Sequence, residues 1–396
     1  MNVLIVNCGS SSLSFKVFRV LADGSDTVEI SGKARNVATS TQAQPFIEWE
    51  RSGVKRQRAS ALDTHQSAAR AMFSILAEES ITIDAVGHRF VHGGEVFKAT
   101  TRINTESLVK LRSILALAPI HNPNSSSVIE VCMETLQNIP QFAVFDTAFH
   151  SSLPVEAREY ALPYDLAASR GFRKYGFHGL SYQYVSRQAA AVLNMKIDEV
   201  KLIMCHLGTG GSSVCAFAGG HSVDTSMGFS PLAGLVMSTR SGDIDAEVVL
   251  DLVRQGMTAD EVSRLLNTQS GLIGLSGYSS NLAEIISAAE AGNLQCRVAY
   301  EVYASRLKHY LGAYTWLLNG AHAIVFTDDI GVTSWQLREK VCGDVEALGI
   351  LLDRETNRVA NPNGVTIISK PGSRTNIIVM PTDEEKVILQ EVMGLL

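Results

Sequence analysis

One pattern is written twice in this chain, as VLIVNCGSSSLSFKVF at residues 3–18 and as LIMCHLGTGGSSVCAF at residues 202–217. Each copy is a β-rich apolar run, a cluster of Gly, Ser and Thr, and a second β-rich run, the signature of a hairpin. Small residues at the turn let backbone N–H groups approach an anion, so such a hairpin can cradle phosphate without a long basic arm. The duplication predicts two related domains that face one phosphate site.

At 396 residues there is room for two or three domains, and 46% hydrophobic with 19% charged residues is ordinary for a globular protein. The net charge of −6 argues against a nucleic-acid partner, whose phosphate backbone needs a basic face. No apolar run is long enough to span a membrane, and the N-terminus carries no basic region ahead of an apolar core. The six cysteines are scattered, without a CxxC pair or zinc-type spacing, which suits a reduced cytoplasm. Cys8 and Cys205 lie beside the two turns, but neither hairpin writes an activating base next to them.

Further strands are predicted at 28–32, 46–50 and 141–150, a buried strand running into a loop at 84–94, and helices at 64–80 and 105–115. A helix also follows the prolines of residues 117–123. The second half repeats this order, with helices at 246–254 and 293–318 and a strand at 321–331 that ends in acids. Strands that end in polar residues place a ligand at their carboxyl ends, as open α/β sheets do. The first domain is read as 1–150 plus a returning amphipathic helix at 383–396, and the second as 151–382.

Three arginines sit in turn-like segments, Arg89 in HRFVHGG, Arg170 in SRGFRKYGFHG and Arg240 in STRSGDID. Arginine in such turns suits bidentate contact with carboxylate or phosphate oxygens. His88, His92, His121, His150, His178 and His206 lack the spacing of a zinc site, which leaves structural or phosphate-contacting roles. Asp146, at a strand end, is a candidate to hold Mg²⁺ through water, or a plain capping residue. Spacing alone assigns Glu384 nothing.

Taken together these segments resemble the acetate kinases, members of the acetate and sugar kinase, Hsp70 and actin superfamily, along the whole chain. The match rests on NCGSSSL (7–13), GHRFVHGG (87–94), LAPIHNP (117–123), FDTAFH (145–150), YGFHG (175–179) and DTSMGFSPLAGLVMSTRSGDID (224–245). It continues through SGLIGLSG (270–277), LGILLD (348–353) and PTDEE (381–385). The resemblance implies a duplicated actin-like (ribonuclease H-like) α/β fold with a cleft between its domains, a homodimer, and reversible phosphoryl transfer between acetate and a donor with Mg²⁺, or Mn²⁺ in its place. Residue by residue it implies Asn7 and Glu384 at the metal, Arg89 at the substrate, Asp146 as the catalytic aspartate, and His178 with Arg240 at the transition state. His121 becomes a further phosphate contact, and Val91, Ile120, Phe177 and Pro231 the wall of a methyl pocket. Such a pocket excludes one extra methylene by only about 1–3 kcal/mol, so propionate is weakly rejected. The donor side falls to His206, Leu207, Gly208, Thr209, Gly210, Asn281 and Gly331. A non-catalytic sensor of the same superfamily would not need the three cations Arg89, His178 and Arg240, and a sugar kinase would not need the apolar quartet.

The departures from the family pattern gather on that donor side. HLGTG stands where HLGNG is usual, SNLA where SDMR is usual, and FTDDIGVTS where FTAGIGENS is usual. Thr209, Asn281, Ala283, Asp328, Asp329, Val332 and Thr333 therefore mark the changes, and Ser14 replaces a lysine in the first hairpin with Lys16 nearby. Two added carboxylates and one lost cation disfavour a nucleotide's polyphosphate. The pattern resembles the pyrophosphate-linked branch of the family, with orthophosphate or pyrophosphate as the expected donor and ATP/ADP as the alternative.

Overall fold

The computed structural model describes residues 1–39 and 44–396. They form two compact units, Met1–Phe149 with Asp383–Leu396, and His150–Thr382. No helix among the described residues is long and apolar enough to cross a membrane.

In the first unit, β1 (Asn2–Cys8), β2 (Ser12–Val20), β3 (Asp26–Arg35), β4 (Phe46–Arg51) and β5 (Val54–Ala59) run as an antiparallel meander. With β6 (Ala85–Phe90), β7 (Thr101–Arg102) and β8 (Gln141–Phe145) the sheet order is β5-β4-β3-β2-β1-β6-β8-β7, and β6 lies parallel to both β1 and β8. Val3, Leu4, Ile5 and Val6 are all buried, as expected of a strand covered on both faces. One face packs under the helices His65–Glu78 and Asn122–Thr135 through Leu4, Val6, Met72, Ile75, Val128 and Val131. The other lies under the last helix, Glu384–Met393, whose Ile388 and Val392 pack onto Gly87.

Local chemistry explains the helix ends. Thr64 caps the helix His65–Glu78, its hydroxyl accepting the Ser67 N–H at 3.0 Å, so the first turn begins one residue after the predicted start. The predicted helix at 105–115 divides into Thr105–Ser113 and a 3₁₀ turn Leu115–Leu117. Pro123 does not interrupt the following helix but sits in its first turn, where a missing N–H breaks no bond.

The second unit repeats the plan. β9 (Leu202–Gly208), β10 (Gly211–Ala218) and β11 (His221–Thr225) are antiparallel; β12 (Ala323–Thr327), β13 (Thr366–Ile367) and β14 (Asn376–Val379) complete the order β11-β10-β9-β12-β14-β13, with β12 parallel to β9 and β14. The run β3-β2-β1-β6-β8 of the first sheet and β11-β10-β9-β12-β14 of the second share one pattern of directions. The helices Leu282–Glu290 and Leu294–Leu317, capped by Asn281 and Asn293, cover one face of this sheet. Two expectations need correction. The strand read at 141–150 stops at Phe145, and Asp146–His150 forms a 3₁₀ turn. The acids after β12 do not extend the strand, which stops at Thr327; Asp328 and Asp329 open a short helix, Asp328–Thr333.

The close approach of the last helix gives a test. A Cβ at Gly87 would lie 2.6 Å from Ile388 Cγ2 and 2.9 Å from Val392 Cγ2. Gly87→Val is therefore expected to push that helix off the sheet and cost about 1–3 kcal/mol. Urea unfolding would show a lower midpoint, and limited proteolysis would cut within 383–396.

Candidate active site

Parallel register carries three chain-distant residues of the first unit to one sheet edge. Val6 is level with His88 and Arg89 with Val144, so Asn7, Arg89 and Asp146 emerge at the carboxyl ends of adjacent strands. Asp146 grips Arg89 with both oxygens, Nε–H donating to Oδ1 at 3.0 Å and Nη2–H to Oδ2 at 2.7 Å. Arg89 Nη1 reaches Glu384 Oε2 at 2.8 Å and the Asn7 amide oxygen at 3.5 Å. Burial works against the Arg89 charge, but Asp146, Glu384 and Glu385 outweigh it and hold the guanidinium firmly protonated. Lys16 pairs with Glu385 at 3.1 Å on the same side of the unit.

Asn7, Asp146 and Glu384 present only oxygen donors, two of them carboxylates, which is the donor chemistry a hard cation such as Mg²⁺ uses while keeping most of its waters. The residues fit such an ion. Among the described residues no group of three His, Cys, Asp or Glu side chains is poised to cage a metal alone.

In the second unit the hairpin β9–β10 turns at Thr209 and Gly210, with Gly208 level with Gly211. Gly211 leaves a gap. A Cβ there would lie 3.4 Å from both Arg240 Nη1 and His178 Nε2, so these two cation-type groups converge over bare backbone. Arg240 has no carboxylate partner among the described residues, and burial lowers its pKa. A half-buried guanidinium beside a histidine and a glycine hairpin has the chemistry to receive an anion.

A hydroxyl network orients the histidine. The Tyr182 hydroxyl lies 2.5 Å from the Ser213 hydroxyl, and Ser213 Oγ lies 2.8 Å from His178 Nδ1. With Tyr182 donating to Ser213 and Ser213 to Nδ1, the proton of the neutral ring falls on Nε2, the nitrogen beside Arg240. The ring of His206 stacks on that of His178, with centroids 4.1 Å apart. Tyr182, Ser181 and Ser213 go beyond the sequence reading; their one signal in the sequence is the paired serines of HLGTGGSS, which local pattern reads only as small turn residues.

The donor-side candidates lie partly together. Asp329 accepts the Thr209 N–H at 3.0 Å and the Thr209 hydroxyl at 2.6 Å. Thr209 is thus held by a carboxylate of its own chain. His206, Leu207 and Gly208 end β9, and the Gly331 carbonyl accepts from the buried Arg338 at 2.8 Å. Asn281 uses its side-chain oxygen to cap the helix Leu282–Glu290, accepting the Ala283 N–H at 2.9 Å. Of the apolar quartet, Val91 and exposed Ile120 belong to the first unit, and buried Phe177 and half-buried Pro231 to the second. His121 stands at the N-cap of the helix Asn122–Thr135.

Other titratable candidates are structural. His88 donates to Gln141 at 2.9 Å, His150 donates to the Phe177 carbonyl at 3.0 Å, and burial pushes both rings down to about 4. Every cysteine is buried; burial raises the Cys8 thiol to about 12 and Cys205 well above its ordinary value, so neither is a thiolate. The two histidines carry a pH signature. Folded, they stay neutral while the unfolded chain takes up protons below about 6.5, so stability is lost as pH falls from there towards about 4. Each is expected to remove at most about 3 kcal/mol across that window. Unfolding free energies at pH 7.5, 6 and 5 check this; a flat profile contradicts it.

The sequence profile of the acetokinase family matches residues 2–390. The chain belongs to that family. It is 40% identical over 403 residues to the acetate kinase of Heliobacterium modesticaldum, covering all of both chains. The crystal structure of Porphyromonas gingivalis acetate kinase superimposes with a TM-score of 0.91 at 37% identity, covering 100% of this chain and 99% of that one. A propionate kinase from Francisella tularensis matches equally well, with a TM-score of 0.91 at 35% identity and both chains wholly covered. The duplicated sheet plan described above is thus the two-domain actin-like fold of acetokinases, phosphotransferases with a carboxyl group as acceptor.

Proposed function

We propose that this protein moves a phosphoryl group reversibly between acetate and a small inorganic donor, so that acetyl phosphate and orthophosphate give acetate and pyrophosphate. In that direction an orthophosphate oxygen bonds to phosphorus, the bond to the acetyl oxygen breaks, and acetate leaves with the electron pair. In reverse, acetate is the nucleophile. It is already ionised at pH 7 and needs no base, so Asp146 serves to aim Arg89. Arg89 is assigned to the acyl phosphate, and Arg240 with the His178 Nε2–H to the equatorial oxygens of the phosphoryl group in flight. Transfer of this kind is catalysed mostly by positioning and cationic donors. Asn7, Asp146 and Glu384 would hold Mg²⁺, which offsets phosphate charge when bound.

The donor assignment rests on one observation. The N–H and hydroxyl of Thr209 are both taken by Asp329, at the turn where a longer polyphosphate would need donors. A carboxylate there repels a nucleotide tail. The acyl group is acetate, with propionate weakly rejected. The homodimer implied by the family stays in this reading; the helix Ala246–Arg254 buries none of its residues and leaves Val248, Leu250 and Val253 exposed.

Two experiments test these assignments. Enzyme, Mg²⁺ and acetyl phosphate are mixed with orthophosphate or with ADP, and acetyl phosphate loss is followed. Faster loss with orthophosphate is expected; brisk turnover with ADP and none with orthophosphate overturns the donor assignment and leaves the acyl assignment standing. Arg240→Ala is expected to lower kcat by about 10³-fold or more with an unchanged circular dichroism spectrum. Retained turnover would remove Arg240 from the reaction.

A further inference from the structure

Asp328 has an unusual backbone. Its φ is +63°, in the left-handed region that few residues other than glycine, asparagine and aspartate adopt. Such strain persists only where the surroundings hold it, and it collects at functional positions. The surroundings here are specific. Asp328 Oδ2 lies 3.1 Å from His206 Nε2, and the carboxylate rests over Gly208, where any Cβ would collide with it. His206 is buried, and its Nδ1 meets the Ser181 hydroxyl at 2.9 Å. A carboxylate accepts from Nε2–H, so in the neutral ring the Ser181 O–H donates to Nδ1. The ring of His206 is therefore fixed at both nitrogens.

That fixed ring is one wall of the catalytic histidine. His178 stacks on His206 at 4.1 Å with 29° between the planes, and is itself in the left-handed region at φ +58°. Ser213 holds one edge of His178 and His206 holds one face, leaving Nε2 directed to the gap over Gly211 beside Arg240.

We propose that Asp328 is a positioning residue for phosphoryl transfer: through its hydrogen bond to His206 it fixes the ring on which His178 stacks, and so the aim of His178 Nε2. Asp328 touches no reacting atom in this scheme. The role is independent of which phosphate donor is used, since His178 serves the transferred phosphoryl group in either case.

The strain makes the role separable from a structural one. Glycine adopts φ +63° freely, so Asp328→Gly relieves the backbone while removing the carboxylate. Its thermal midpoint is expected to equal or exceed that of the parent, while kcat for acetyl phosphate consumption falls about tenfold and KM changes by less than about twofold. Asp328→Asn keeps an acceptor for Nε2–H and tolerates the left-handed region, and should recover kcat to within about threefold of the parent. Gly208→Ala provides a second route with Asp328 in place: the added methyl displaces the carboxylate and should lower kcat likewise. Assays use whichever donor is the faster for the parent enzyme. An Asp328→Gly kcat within about twofold of the parent overturns the proposal, as does a loss that tracks a lowered thermal midpoint and that asparagine does not restore.

Discussion

The structure depends first on the parallel pairing of β6 with β1 and β8, and of β12 with β9 and β14. Parallel ladders require every participating strand to end at the same side of the sheet, so residues far apart in the chain become neighbours without any loop having to find them. Asn7, Arg89 and Asp146 meet in this way in the first unit; His206 and Thr327 are level in the second. Hairpins supply the turns, but the register of the parallel strands decides which side chains share an edge.

The same frame carries opposite electrostatics in its two copies. In the first unit an arginine is surrounded by carboxylates, an arrangement that keeps the guanidinium charged and fixes its direction, since Nε, Nη1 and Nη2 each meet a carboxylate oxygen. In the second, Arg240 has no carboxylate partner among the described residues, and Asp329 and Asp328 are turned instead to Thr209 and His206. One sheet plan thus surrounds its arginine with acids in the first unit and leaves Arg240 beside His178 and Gly211 in the second.

Much of this could be read from the sequence. The hairpins, the helix Ala246–Arg254 and the long helix after Asn293 follow from local periodicity and capping, which are properties of adjacent residues. Asn7, Arg89, Asp146 and Glu384 were legible only through family resemblance, because their meeting is a matter of register and of a helix returning from the far end of the chain. Asp328 shows the limit most clearly. Apolar Ala323 to Phe326 read as a strand, and nothing in the following acids announces a left-handed backbone or a bond to His206; both arise from the packing of β12 against β9. The Tyr182–Ser213–His178 network was hard to read for a related reason, since Ser213 on β10 meets Tyr182 and His178 at the start of the helix Gly179–Val192 only through packing.

The first unit is written in two pieces, with its last piece at Asp383–Leu396. During synthesis the sheet of residues 1–149 emerges long before the helix that covers Ile5 and Gly87, and before Glu384 can reach Arg89. A nascent chain must therefore carry an uncovered apolar sheet face through the making of some 230 intervening residues, the span His150–Thr382, exposed to the hazards of incomplete domains. One benefit follows from that order. Arg89 receives its second carboxylate only after those residues are made, so a chain released before Glu384 lacks one arm of the cluster that holds its guanidinium.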